Sequence, residues 1–169
     1  MRADAPLFHS AAAAVAWAYE TVSRVPVKSC AVYAMRGPQH PSRLGLSPDE
    51  AHAQAAMILS LVERTLHPME LAYARARFGR APESLQVLVE VVMRAQGTGV
   101  HSRDVATLAL LMYLGEPVGL RTLRAELRQR MTAAIEYRNL VYDALDRLHR
   151  RTIGRLDEAL REAGVVGVA

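Results

Sequence analysis

"GLRTLRAELRQRMT", residues 119–132, places leucines at 120, 123 and 127 and arginines at 121, 124 and 128. Each set steps by three and then by four. At roughly 100° per residue the two sets make parallel stripes on one helix, about 100° apart. The leucine stripe is enough to bury a helix. The arginine stripe then lies at the edge of the packed face, with its guanidinium groups in a row.

The flanking segments extend this pattern. "SRDVATLALLMYLG" (102–115) reads as a helix with Ser102 as its N-cap and Gly115 as its stop. "RQRM" reads as a tight link, and Thr132 opens a long helical pattern. In that pattern Tyr137, Val141, Leu145, Leu148, Thr152, Leu156, Ala159 and Ala163 recur at three- and four-residue spacing. Unbroken to Gly164, such a helix spans about 48 Å, and Gly154 is the place where it would bend.

Helix, link, short helix, tight link and longer helix is the order of a helix-turn-helix. In that arrangement Leu120, Leu123 and Leu127 pack against "LALLMYL" and against Val141 and Leu145. Arg121, Arg124 and Arg128 then face phosphates, with Arg130 in the turn, where backbone N–H groups also suit phosphate. The far face of the long helix carries Thr132, Glu136, Asn139 and Asp143. Asparagine reads adenine by two hydrogen bonds, and glutamate accepts from cytosine. The two carboxylates repel phosphate unless paired, for Glu136 with Arg128 or Arg130. The same arginine spacing also serves a plain solvated helix face.

The N-terminal half reads as further helices. Ser10 caps a helix running to about Ser23, with Val15, Trp17, Ala18 and Val22 apolar. "VKSCAVYAMRG" (27–37) is a short apolar piece, read as a helix, and "GPQHPSRLG" (37–45) is a loop. "SPDEAHAQAAMILSLVERTL" opens with Ser47, Pro48 and Glu50, a capping-box signal. "HPMELAYARARFG" repeats that logic from His67 and Pro68 to Gly79, and "PESLQVLVEVVMRAQG" (82–97) is a further helix. Met57, Met69, Met93 and Met112 fall on apolar helix faces and read as core packing. The expected fold is all-α: a helical N-terminal body over residues 1–97, then a C-terminal helix-turn-helix with a long terminal helix over 98–169. "QGTG" (96–99) marks the boundary.

Composition narrows the function. The chain has 169 residues, a formal charge of +4 and 51% apolar residues, enough for a core without disulfides. All basic residues but Lys28 are arginine, the residue suited to bidentate phosphate and guanine contacts, although a GC-rich coding sequence accounts for the ratio more simply. Cys30 is the single cysteine, which excludes an intramolecular disulfide and a Cys-based zinc site and fits a reducing compartment. The opening alanine run is broken by Tyr19 and Glu20 and does not read as a signal peptide. No window approaches the ~20 apolar residues of a membrane span. The expectation is a cytoplasmic protein with no membrane partner.

Catalytic and metal-binding patterns are missing. His9, His40, His52, His67, His101 and His149 have no metal-ligand spacing, and there is no phosphate loop or nucleophile motif. Asp49, Glu50 and His52 lie at a helix start, where capping explains the acids. No enzyme activity, metal or cofactor is expected. Arg147, Arg150, Arg151 and Arg155 in "DRLHRRTIGR" read equally as a solvated surface and as a functional one, and functionally as a second phosphate contact or a site for an acidic protein surface.

"LLMYLGEPVGLRTLRAELRQRMTAAIEYRNLVYDALDRL" (110–148) resembles the promoter-recognition helix-turn-helix in the last conserved region of sigma factors. "YLG" precedes the turn, "LRAEL" is the bracing helix, and the reading helix runs from Thr132. The link after Leu127 is about one residue longer than in sigma factors, and Arg128 stands where a glycine is usual. The whole chain, including "AWAYETVSRVPVKSCAVYAMRG" and "LSPDEAHAQAAMILSLVERTL", resembles more loosely the late-gene transcription antiterminators of the phage Q type and the related bacterial lysis regulators of the AlpA kind.

That resemblance implies a transcription regulator. Such proteins bind a double-stranded DNA element near a late promoter and load onto sigma-paused RNA polymerase. They then narrow or extend its RNA exit channel, so that terminator hairpins cannot form. The implied DNA contacts are Arg121, Arg124, Arg128, Arg130, Thr132, Glu136, Arg138 and Asn139. The N-terminal body would face polymerase, with Arg75, Arg77 and Arg80 of "YARARFGR" touching nascent RNA; a helix end whose charge suits its own dipole is the simpler account of that trio. Self-association on DNA is compatible with this picture. The rival is a helical adaptor or oligomerising protein without nucleic-acid binding, whose long helix supplies a coiled-coil seam.

Overall fold

The computed structural model describes residues 7–23, 44–95 and 102–167. The expected short helix at 27–37, most of the loop at 37–45 and the boundary at 96–99 lie outside the described residues. Among those described, every regular element is an α-helix: α1 (Ala11–Ser23), α2 (Pro48–Thr65), α3 (Pro68–Gly79), α4 (Glu83–Ala95), α5 (Arg103–Leu114), α6 (Leu120–Leu127) and α7 (Met131–Glu162). The protein is all-α. Among the described residues no helix is long and apolar enough to cross a membrane.

Local chemistry accounts for most helix ends. Ser10 Oγ accepts from the Ala13 N–H at 3.3 Å and Ser102 Oγ from the Val105 N–H at 3.3 Å. At α2 the capping box is complete: Ser47 Oγ accepts from the Glu50 N–H at 3.3 Å, and Glu50 Oε2 accepts from the Ser47 N–H at 2.8 Å. These bonds favour the ionised Glu50 carboxyl and hold it below its ordinary range. Gly115 closes α5 in the left-handed conformation, φ 90°.

The chain divides into two compact units that do not follow the boundary expected after residue 97. One comprises residues 1–66 with 153–169, and the other residues 67–152. Helices α4 and α5, which flank that expected boundary, pack on each other within the second unit. In the first unit α1 packs on α2, through Ala11, Ala14, Val15 and Ala18 on one side and Ala51, Ala55, Ile58 and Val62 on the other, all buried. The alanines let the two backbones approach. Residues from the far end of the sequence complete this unit. Asp157 Oδ1 accepts from the Ala11 N–H at 3.0 Å, Phe8 pairs with Val166 as an isolated bridge, and Phe8 stacks on Trp17 at 5.2 Å.

In the second unit α3 packs on α4, α4 on α5 and α5 on α6. Their core holds Tyr73, Leu88, Val92, Ala106, Leu110 and Leu123, together with Tyr137, Val141, Leu145 and Leu148 from α7. Helix α7 continues through Gly154 without interruption for 32 residues. Two of the four methionines depart from the expected core role. Met57 is 47% and Met69 43% exposed, because the buried stripes of α2 and α3 are made of smaller residues and tyrosine, which leaves both thioethers outside.

Candidate nucleic-acid interface

Burial separates the two stripes of residues 119–132. Leu123 is fully buried, Leu120 and Leu127 pack half-buried against the same core, and Arg121, Arg124 and Arg128 are exposed. One stripe is the keel of α6 and the other faces solvent.

Between α6 and α7 lie three residues, Arg128, Gln129 and Arg130. Arg128 adopts φ 53°, ψ 35°, the left-handed conformation that favours glycine. Its N–H donates to the Ala125 carbonyl and ends α6. Arg128 therefore occupies a backbone conformation that glycine adopts without strain.

Among the described residues no side chain accepts a hydrogen bond from the first N–H groups of the next helix. Arg130 O accepts from the Ala134 N–H at 3.2 Å, which puts Arg130 in the N-cap position. A guanidinium has donors only, so it leaves the leading N–H groups of α7 without a side-chain acceptor. Gly119 likewise offers α6 no side-chain bond. The serine-capped helices α1, α2 and α5 differ from α6 and α7 in this respect.

Along α7, Tyr137, Val141, Leu145 and Leu148 point into the core, and Thr132, Glu136, Asn139 and Asp143 lie opposite them, all exposed. The pairing expected of Glu136 with Arg128 or Arg130 is not formed among the described residues. Asn139 is engaged: Arg138 Nε and Nη2 both donate to its Oδ1, at 3.1 and 2.7 Å, while the Arg138 guanidinium sits 5.7 Å from the Tyr142 ring centre. A two-bond contact from Asn139 to adenine therefore requires Arg138 to swing away, toward a phosphate or to solvent.

A tyrosine cluster supports this edge of α7, and periodicity did not reveal it. The Tyr113 hydroxyl donates to Asp146 Oδ1 at 2.7 Å, and Tyr113 meets Tyr142 edge-on at 5.2 Å. The Tyr73 hydroxyl and His149 Nδ1 share a hydrogen bond of 3.0 Å, and Tyr73 lies 6.5 Å from Tyr113. Burial, the neighbouring Tyr73 hydroxyl and the Asp146 carboxylate push the Tyr113 hydroxyl well above its ordinary range; burial also raises Tyr73. The cluster joins α3, α5 and the middle of α7. Its sequence signal was Tyr142, Asp146 and His149 at steps of four and three.

The remaining arginines lie elsewhere in this unit. Arg75 is half-buried and engaged. Arg77 is exposed and its Nη1 donates to the Leu114 carbonyl at 3.3 Å, satisfying the end of α5. Arg80, exposed, ends α3 in the left-handed conformation, φ 51°. Arg77 and Arg80 share a cleft with Leu111, Leu114 and Glu116. The trio is therefore split between half-buried Arg75, exposed Arg77 in the last turn of α3 and exposed Arg80 at its C-cap.

No protein-family model matches the chain, and no curated protein sequence matches it.

Proposed function

We propose that the protein is a DNA-binding transcription regulator, acting as an antitermination factor with RNA polymerase at a late promoter. One observation carries the DNA-binding part: four exposed arginines, Arg121, Arg124, Arg128 and Arg130, line a short helix and a three-residue turn that lead into the start of α7. Helix α6 lies along the backbone with these guanidinium groups on phosphates. The first turns of α7 enter the major groove with Thr132, Glu136 and Asn139 toward base edges. The leading N–H groups of α7, free of a side-chain acceptor among the described residues, and the positive end of its dipole add to phosphate attraction. The extension to antitermination, to polymerase and to nascent RNA rests on the resemblance of the sequence to the Q-type antiterminators.

Duplex fragments from the protein's own genomic neighbourhood provide the test. Four phosphate contacts give a slope of about −3.6 in a plot of log affinity against log salt. Transcription in vitro past a terminator on the same fragments should rise when the protein is added. A salt-independent affinity, or none, returns the molecule to the rival class of helical adaptors. DNA binding without read-through leaves a regulator that is not an antiterminator.

A further inference from the structure

The second unit carries a groove of about 730 Å³ distinct from the α6–α7 turn. Met69 of α3, Val91 of α4 and Ala144 of α7 give it an apolar floor, and Arg94 of α4 with Arg147, Arg150 and Arg151 of α7 give it cationic walls. No carboxylate lines it among the described residues. Arg94, Arg147 and Arg151 make no ion pair among the described residues, and Arg150 spends only its Nε on the Asp146 backbone carbonyl, at 3.4 Å.

We infer that this groove docks an acidic amphipathic helix of a partner protein. Two features select that occupant. Unpaired guanidinium groups on both walls are complementary to carboxylates, which arginine grips with two bonds. The floor is apolar and includes Met69, 43% exposed, a flexible thioether of the kind that accepts varied side chains. A nucleic-acid strand would use the walls and waste the floor, because no aromatic ring lines the groove among the described residues to stack a base. An amphipathic helix uses both, with leucines at three- and four-residue spacing on Met69, Val91 and Ala144 and glutamates flanking them. Ala144, Arg147 and Arg151 follow that spacing on α7.

The probe is a fluorescein-labelled peptide of about 16 residues, long enough for roughly four helical turns, with leucines on one face and glutamates beside them. Control peptides replace leucine by serine or glutamate by lysine. Anisotropy titrations use the full chain, the double variant Arg147→Gln with Arg151→Gln, and Met69→Ser. All three substituted positions are exposed and glutamine is a good helix former, so the fold is retained, which circular dichroism checks. The parent peptide should bind the unaltered protein at micromolar concentration. Each variant, and each control peptide, should weaken binding by about tenfold or more. A 12-nucleotide uridine oligomer and a duplex fragment should bind the double variant within about twofold of the unaltered protein at physiological salt. The proposal is overturned by peptide binding that is absent or indifferent to the variants. It is equally overturned by a loss of RNA or DNA affinity in the double variant as large as the loss for the peptide.

Discussion

Replacing Arg128 by glycine should stabilise the protein and, under the proposed function, weaken duplex binding. At φ 53°, ψ 35° the Arg128 backbone sits in a region that costs an L-residue about 1–2 kcal/mol. Glycine removes that strain but costs roughly 0.5–1 kcal/mol in extra freedom of the unfolded chain. The net gain is about 0.5–1 kcal/mol, or roughly 3–6 °C in the melting of a unit of this size. The side chain is exposed and its loss removes no packing. If Arg128 grips a phosphate as proposed, the substitution deletes that contact and lowers the magnitude of the salt slope by about 0.9. Arg128→Ala is the matched control. It loses the same charge and keeps the strain, so its melting should stay within about 0.5 kcal/mol of the parent. Thermal unfolding by circular dichroism and salt titrations of duplex binding measure the two halves separately. If Arg128→Gly melts no higher than Arg128→Ala, the strain is not there. If both leave the salt slope unchanged, Arg128 does not touch phosphate.

Three other perturbations follow from the same geometry. Arg130→Ser gives α7 the acceptor it lacks; melting should rise by about 1 kcal/mol while duplex affinity falls, and a destabilised variant would mean that the α7 start is already satisfied. Leu123→Ala empties a fully buried site between α6, α5 and α7 and should cost about 3 kcal/mol in urea unfolding. Tyr113 should make stability fall in alkali: its hydroxyl is raised in the folded state, so its contribution is complete below the ordinary tyrosine value of about 10 and is lost as pH climbs past it. Urea unfolding at pH 8 and pH 10.5, compared with Tyr113→Phe, reads this out; an identical pH dependence in the variant removes Tyr113 as the cause.

Much of the fold could be read from local chemistry. Ser47 and Glu50, Ser102, Gly115 and the leucines of α6 each announce a helix end or a buried stripe, because caps and 3.6-residue periodicity act within one or two turns. What escaped is long-range. Nothing near Phe8 says that it will pair with Val166, and nothing near Ala11 says that its N–H will meet Asp157. The unit boundaries therefore follow contacts between distant segments and not the glycines at 97 and 99. Met69 has an apolar neighbourhood in sequence, yet it faces outward because Tyr73 and Ala76 fill the inner side of α3. The tyrosine cluster was hidden for the same reason, since its members come from three helices. At the candidate interface, the exposed arginines were legible as a stripe. That Arg128 would take a glycine's backbone conformation, and that Arg138 would occupy Asn139, depends on torsions and rotamers that no spacing encodes.

The split composition of the first unit bears on the order of folding. Phe8, α1 and α2 depend on an acceptor at Asp157 and a bridge partner at Val166 that lie about 150 residues further along the chain. The stretch 67–152 is contiguous and closes through contacts between neighbouring helices, whereas the first unit is complete only when residues 153–167 join α1 and α2. A released chain truncated after Thr152 should therefore still protect α3 to α6 from protease and leave α1 and α2 open to cleavage.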